Sequence, residues 1–293
     1  MIRRIFKIDI DGTVISNMRA MATITKSILK SDPDFCEVTI YNLAIETRQL
    51  FSTAKKLAIY GGHGDPETND GELVYLGDII NVQNRKENTE WVSIYTCGDG
   101  ASAIKQSVIN KTYTQPMTPK DIITDIVDAT GISSAIEFVS GESEAKTTRS
   151  YTANGDAKGE IDAICNSNDL YWSIQDDVMV VTDAYTSRQR LSYIIRVETG
   201  MIGSPEWVNR GTTTNKVNNI DGNLIKVKSL LIPSIKPCDQ INIVSELFET
   251  KVNGVTFESS GSGISANFKV ETISHSMNTH DGEFSTEIEA RAL

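Results

Sequence analysis

The stretch from Cys36 to Val82 constrains the fold of this chain more than any other. Val38, Ile40 and Leu43 stand apart with polar residues between them, the pattern of a half-buried strand whose side chains point alternately to opposite faces. Asn42 is placed to halt that strand and to accept amide protons from a short helix over Ala44 to about Phe51. Leu57 to Tyr60 and Leu73 to Val82 read as two further strands, and the Gly/Asp/Pro/Asn-rich run 61–71 between them reads as a loop. A strand, a helical turn and two more strands favour a small β unit over a doubly wound one.

The flanking segments extend that unit. Phe6, Ile8 and Ile10 alternate with Lys7, Asp9 and Asp11, and Asp11-Gly12 suits a hairpin turn into Val14-Ile15. Met21 to Leu29 continues as a strand, 84–88 reads as a charged turn, and Thr89 to Cys97 forms a strand with Trp91, Ser93 and Tyr95 on one face.

One motif here points to chemistry. Ile8-Asp9-Ile10-Asp11-Gly12-Thr13-Val14 is similar to the first motif of haloacid dehalogenase-like phosphatases, in which the first Asp attacks phosphorus and the second is general acid/base. Gly98-Asp99-Gly100 superficially resembles that family's metal-binding triplet. The later Asp of that motif falls near Ala103, however, and no amphipathic helix follows Thr13. A hairpin turn explains Asp11-Gly12 without chemistry.

Beyond residue 105 the pattern changes. Thr118 caps, and Pro119 starts, a helix with Ile122, Ile123, Ile126 and Val127 on one side, stopped by Gly131. Residues 140–156 read as an exposed polar loop. Ile161, Ile164 and Cys165 mark a second helix, and Leu170 to Ile174 pairs with Val178 to Val181 across a turn at Asp176-Asp177, expected to be solvated. From Leu191 the pattern is β again, with a tight loop at Gly200 and Gly203, a stiff exit at Pro205, a Gly/Ser tip at 259–265, and last strands over Phe268–Met277 and Phe284–Ala292, the latter reading as a barrel edge.

Other candidate sites are weak. Asp176 and Asp177 read as turn residues before metal ligands, His275, His280 and Asp281 as a surface pair with an acid, and His63 as a loop residue. The four cysteines are far apart and form no paired ligand spacing, so free buried thiols in a reducing compartment are expected. No apolar run approaches the roughly 18 residues a membrane-spanning helix needs, and the start lacks an export signal. A net charge of −11 argues against a general DNA-binding surface and suits either solubility or an acidic channel wall that repels phosphates.

Several phrases in order resemble the baseplate hub proteins of contractile-tailed bacteriophages: Val38-Thr39-Ile40-Tyr41-Asn42-Leu43 with Thr47-Arg48, Ile59-Tyr60-Gly61-Gly62, and Val74-Tyr75-Leu76-Gly77-Asp78-Ile79. The run from Asp169 to Thr182, the phrase Thr199-Gly200-Met201-Ile202-Gly203-Ser204-Pro205, and Ser229 to Asp239, with Cys238 where the family has Gly, extend the likeness over the whole chain. The resemblance implies a β-rich α+β protein with two tail-tube-like β-barrel domains, 1–105 and 191–293, around a small α+β insert, 106–190. It implies a non-enzymatic homotrimeric ring between the hexameric tail tube, or a tube-initiator protein, and the trimeric central spike. Tape measure protein and baseplate wedge are possible further partners, and DNA passes the channel without specific binding. The hub portion of type VI secretion spikes looks similar. The implied location is the tail baseplate of the virion, assembled in the host cytoplasm, with no membrane association. No residue is assigned a catalytic, cofactor-binding or metal-binding role, and no cofactor is expected. Two alternatives stay open: a receptor- or carbohydrate-binding tail module presenting Trp172 or Trp207, and the phosphatase using Asp9 and Asp11.

Overall fold

The computed structural model describes residues 3–29, 34–98, 107–114, 117–130, 135–140, 150–188, 193–208, 224–246, 258–260, 263–280 and 282–293. The first half holds β1 (Arg4–Ile10), β2 (Thr13–Ile15), β3 (Ala20–Ser27), β4 (Phe35–Tyr41), α1 (Ile45–Phe51), β5 (Lys56–His63), β6 (Glu72–Glu87) and β7 (Glu90–Gly98). Asp11 and Gly12 both take positive φ, 48° and 84°, as a two-residue hairpin turn requires. Asn42 does end β4 but does not cap α1. Its backbone N–H donates to the Trp91 carbonyl and its Oδ1 accepts the Trp91 N–H, so it locks β4 to β7, while Ala44 holds the cap position without a side-chain bond. The expected turn at 84–88 is also corrected: β6 runs on to Glu87 against β7, and the chain reverses at Asn88 and Thr89.

The middle segment comprises β8 (Val108–Tyr113), α2 (Pro119–Ala129), β9 (Ile136–Val139), β10 (Tyr151–Asp156), α3 (Ala157–Ser167), β11 (Tyr171–Gln175) and β12 (Val178–Thr182). Thr118 and Asp121 form a reciprocal capping box with Pro119 in the first turn of α2. Ile122, Ile123, Ile126 and Val127 then bury against Ile161, Ile164 and Trp172. Each such burial contributes about 1.5–3 kcal/mol, so the two helices and the β11–β12 hairpin share one apolar core. The polar loop expected over 140–156 is shorter than that, because Tyr151–Asp156 pairs antiparallel with β8. Gly131 and 141–149 lie outside the described residues.

The second half holds β13 (Tyr193–Ile195), β14 (Met201–Val208), β15 (Leu224–Leu230), β16 (Gln240–Ser245), β17 (Glu258–Ser260), β18 (Gly263–Asn278) and β19 (Ser285–Ala292). The Gly/Ser tip is narrower than 259–265, since Ser259 and Ser260 pair with β18. The last strand is interior, between β15 and β18, not a barrel edge.

The two halves repeat one strand order, β3-β4-β7-β6-β5-β1 in the first and β14-β15-β19-β18-β16-β13 in the second. In each, a 16-residue strand, β6 or β18, carries a bulge, at Ile80 in one and Glu271 in the other. Four residues past each bulge a cross-strand hydrogen bond recurs, Ser93 Oγ to Asn84 Oδ1 at 2.6 Å and His275 Nδ1 to Thr286 Oγ1 at 2.9 Å. The last strand of each series differs in direction: β1 is antiparallel to β5, and β13 is parallel to β16. β18 joins the halves by pairing with β3, giving one predominantly antiparallel 14-stranded sheet. Among the described residues its pairings form an open path rather than a closed barrel.

Candidate functional site: a buried polar seam

The β18–β3 seam is where all three segments meet. Along β3, Ala20, Ala22 and Ile24 face the core, and the alternation carries Lys26 to the same side, where its side chain is 1% exposed. A charge there requires a partner. The turn between β11 and β12 supplies it. Asp176 and Asp177 sit at φ 50° and 63°, and the tight turn pushes Asp176 into the seam. Its Oδ1 is 2.6 Å from Lys26 Nζ and accepts the Leu76 N–H at 3.3 Å, while Oδ2 is 2.7 Å from Lys236 Nζ. Burial works against this carboxylate, but the two ammonium groups outweigh it and hold Asp176 below the usual range. Asp177, at the surface, pairs with Lys56, which also holds Asp78. The expectation of a solvated turn is therefore met by Asp177 alone.

A second set of bonds ties the insert to the C-terminal half. Arg188 donates to Glu137, to Gln175 Oε1 and to the Pro237 carbonyl at 2.6 Å, and lies 3.5 Å from Asp239. Lys269, fully buried, donates to Thr182 Oγ1 at 2.8 Å and to the Asp183 carbonyl, and burial lowers its pKa. Glu271 and Arg291 form a buried pair across β18 and β19. Cys238 takes φ 75°, the left-handed backbone for which the related phrase uses glycine, so the turn survives the replacement with the strained conformation intact. Its side chain packs with Ile28 of the first half and with Val139 and Val180 of the insert.

His275 lies in the same seam, opposite Ile24 on β3, and is wholly buried. Thr286 Oγ1 accepts the Ile232 N–H at 2.9 Å and shares a second hydrogen bond of 2.9 Å with His275 Nδ1. Burial first, and the nearby Lys26 charge second, push this imidazole down to about 3. It is neutral, and far from the exposed His280; Asp281 lies outside the described residues. Among the described residues no group of three or more His, Cys, Asp or Glu side chains is arranged to hold a metal ion.

The carboxylates of the phosphatase-like motif serve the backbone. Asp9 Oδ1 accepts the Gly12 N–H at 2.7 Å, and Asp11 accepts the N–H groups of Lys55 and Lys56 at 3.0 and 2.8 Å. β1 pairs antiparallel on both sides, not within a parallel doubly wound sheet. Asp99, Gly100 and Ala103 lie outside the described residues. Trp172 is buried and donates to Asp162, and Trp207 packs against Phe268, so neither presents an open binding face. His63 is the last residue of β5, paired with Arg4, and not a loop residue, so the loop expected over 61–71 starts only after it; its ring packs edge-on against Phe284. The cysteines are free and buried, with Cys36 opposite Cys97 on β4 and β7 and its thiol pushed up by burial.

The seam was hard to see in the sequence because it joins residues far apart in the chain. Only Lys26 carried a signal, as a charge on the apolar face of an alternating strand.

A profile of the family described as Baseplate hub gp41 matches residues 5–257. No curated protein matches the chain. Among solved structures, the tail protein from Neisseria meningitidis MC58 superposes with a TM-score of 0.64 at 12% identity over 99% of this chain and 96% of that one. The 43 kDa tail protein of prophage MuSo2 from Shewanella oneidensis gives 0.63 at 9% identity over 98% and 96%. The E. coli c3393 protein, a component of the type VI secretion system with structural similarity to T4 bacteriophage tail proteins gp27 and gp5, gives 0.65 at 11% identity over 98% and 77%. At these identities the likeness is one of fold.

Proposed function

Because this chain belongs to the Baseplate hub gp41 family, a family of structural components of the phage tail, we propose that it forms a homotrimeric ring between the tail tube and the central spike. The observation that carries this reading is the strand order repeated in the two halves of one chain. A ring of three such chains presents six similar positions to a hexameric tube, or a tube-initiator protein, while keeping threefold symmetry toward a trimeric spike. In this reading 1–105 and 191–293 are the two tube-like, barrel-forming units, and 106–190 is the insert that sets the angle between them. Tape measure protein and baseplate wedge are further candidate neighbours. The ring is built in the host cytoplasm and ends in the virion baseplate.

The face of the sheet turned away from the core supports a channel role. It carries Thr23 and Thr25 on β3, Ser274 and Ser276 on β18, and Glu37, Glu287 and Glu289 beside them. Lys226 and Lys228 on the same face are paired with Glu287 and Glu283. A hydroxyl-rich surface without clustered free cations among the described residues lets DNA pass without neutralising its phosphates. The chain's role is then scaffolding, with no reaction assigned to it.

Mixing the purified chain with its phage's spike protein and measuring mass by light scattering tests the adaptor role. The expected product contains three chains and one spike trimer. A chain that stays monomeric and separate from the spike at every concentration would refute it.

A further inference from the structure

The repeat assigns a specific contact between copies. Within the chain, the outer edge of β18 past its bulge, Thr272 to Asn278, pairs with β3. The equivalent edge of β6, Asn81 to Glu87, has no partner on that side among the described residues, and neither does the outer edge of β14, the strand equivalent to β3. Ile80 beside the first edge and Ile202 on the second are 67% and 42% exposed.

Equivalence fixes the register. Aligning the bulges makes Ser276 equivalent to Arg85. Aligning β14–β15 with β3–β4 through their partners on β19 and β7 makes Thr23 equivalent to Glu206. Ser276 stands directly opposite Thr23 across the internal seam. The Thr279 N–H to Ala20 carbonyl and Ile28 N–H to Glu271 carbonyl bonds, each 3.1 Å, set the alternation so that Ser276 and Thr23 form a non-hydrogen-bonded pair, the kind whose side chains approach most closely.

We propose that β6 over Asn81–Glu87 pairs antiparallel with β14 of a second copy, with Arg85 opposite Glu206 of that copy. This rests on the trimeric reading and names its interface. Three observations favour a second copy as the occupant: the internal seam already shows what this fold sets against such an edge, the two unpaired edges are its equivalents, and the residues brought opposite each other carry opposite charge. Glu87 lies 2.6 Å from Arg85 at present, and both are exposed, so Arg85 is free to exchange partners. Gly203 to Pro205 occupy the place of the single Ala22, so β14 bulges opposite Lys86, and Pro205 needs no ladder hydrogen bond there. The contact is head-to-tail: every copy offers β6 at one end and β14 at the other, and three copies close.

The test is the double variant Arg85→Cys/Glu206→Cys under mild oxidation, with the off-register pair Gln83→Cys/Glu206→Cys as control. The first should run as a covalent trimer on a non-reducing gel and the second should not. The single variant Arg85→Glu should raise the concentration needed for half-assembly roughly tenfold, and Arg85→Glu/Glu206→Arg should restore it. If the chain assembles as a trimer but Arg85→Cys/Glu206→Cys gives no cross-link and the charge swap gives no rescue, this interface is wrong while the ring stands. If no variant assembles and the wild type stays monomeric, the ring reading fails and this interface with it.

Discussion

Asp176→Asn should lower the stability of the chain by about 3–5 kcal/mol, because it leaves Lys26 and Lys236 facing each other in the seam without their shared counter-charge. Asparagine keeps the shape of the turn and can still accept the Leu76 N–H, so the loss reads charge rather than packing. Asp177→Asn, one residue on and at the surface, should cost less than about 1 kcal/mol despite removing the Lys56 contact. Adding Lys26→Met to Asp176→Asn should recover part of the loss, since an apolar group of similar length removes the uncompensated buried charge. Urea unfolding of the four proteins decides the matter. Equal, small losses at Asp176 and Asp177 would mean that the turn does not hold the seam.

The second large effect follows from His275. Its folded-state pKa lies at about 3 against an ordinary value of 6.5, so between those limits the unfolded chain binds a proton that the folded chain refuses. A depressed pKa contributes stability above pH 6.5 and loses it on acidification. Stability should therefore fall by about 1.4 kcal/mol per pH unit below 6.5, reaching on the order of 4–5 kcal/mol near pH 3. The carboxylate of Asp176 adds its own loss only as pH falls below the ordinary 3.8 of an aspartate, so the upper part of the His275 window is free of it. His63 is lowered too, by burial and by Arg4, and contributes in the same direction. Comparison with His275→Gln isolates the buried ring: the variant should show a shallower slope between pH 6.5 and 4.5 whatever its absolute stability. An unchanged slope would mean that His275 is protonated in the folded chain.

Both effects sit at a place that local patterning could not reveal. Alternation and helical spacing report on residues within one element. They foresaw the Asp11-Gly12 turn, the α2 cap at Thr118, the β11–β12 hairpin and the first parts of β4, β5 and β6. They failed where a distant segment decides. Asn42 had the chemistry of a helix cap, but Trp91 on β7 offered its backbone first. The charged run from Asn84 to Glu87 looked like a turn because exposed strand residues and turn residues share a composition, and it is a strand because β7 pairs with it. Asp176 looked solvated because nothing near it in sequence carries Lys26, 150 residues earlier. The repeat of strand order is invisible for a related reason: the equivalent pairs Asn84–Ser93 and His275–Thr286 share geometry and no residue type.

The seam also explains how one chain can keep its two halves in fixed relation. Strand pairing alone would let β18 and β3 twist against each other, since sheets bend easily along their strands. Asp176, Arg188 and Lys269 bind the insert to both sides of that joint with buried, directional bonds. A subunit with a fixed internal angle is what a closed ring requires.

Electron cryo-microscopy of the purified chain, averaged without imposed symmetry, probes that geometry most directly. A closed circle of three molecules is predicted, its wall showing six similar β units alternately joined within and between chains. Single molecules, open chains of variable length, or a circle whose two kinds of unit differ in strand order would contradict it.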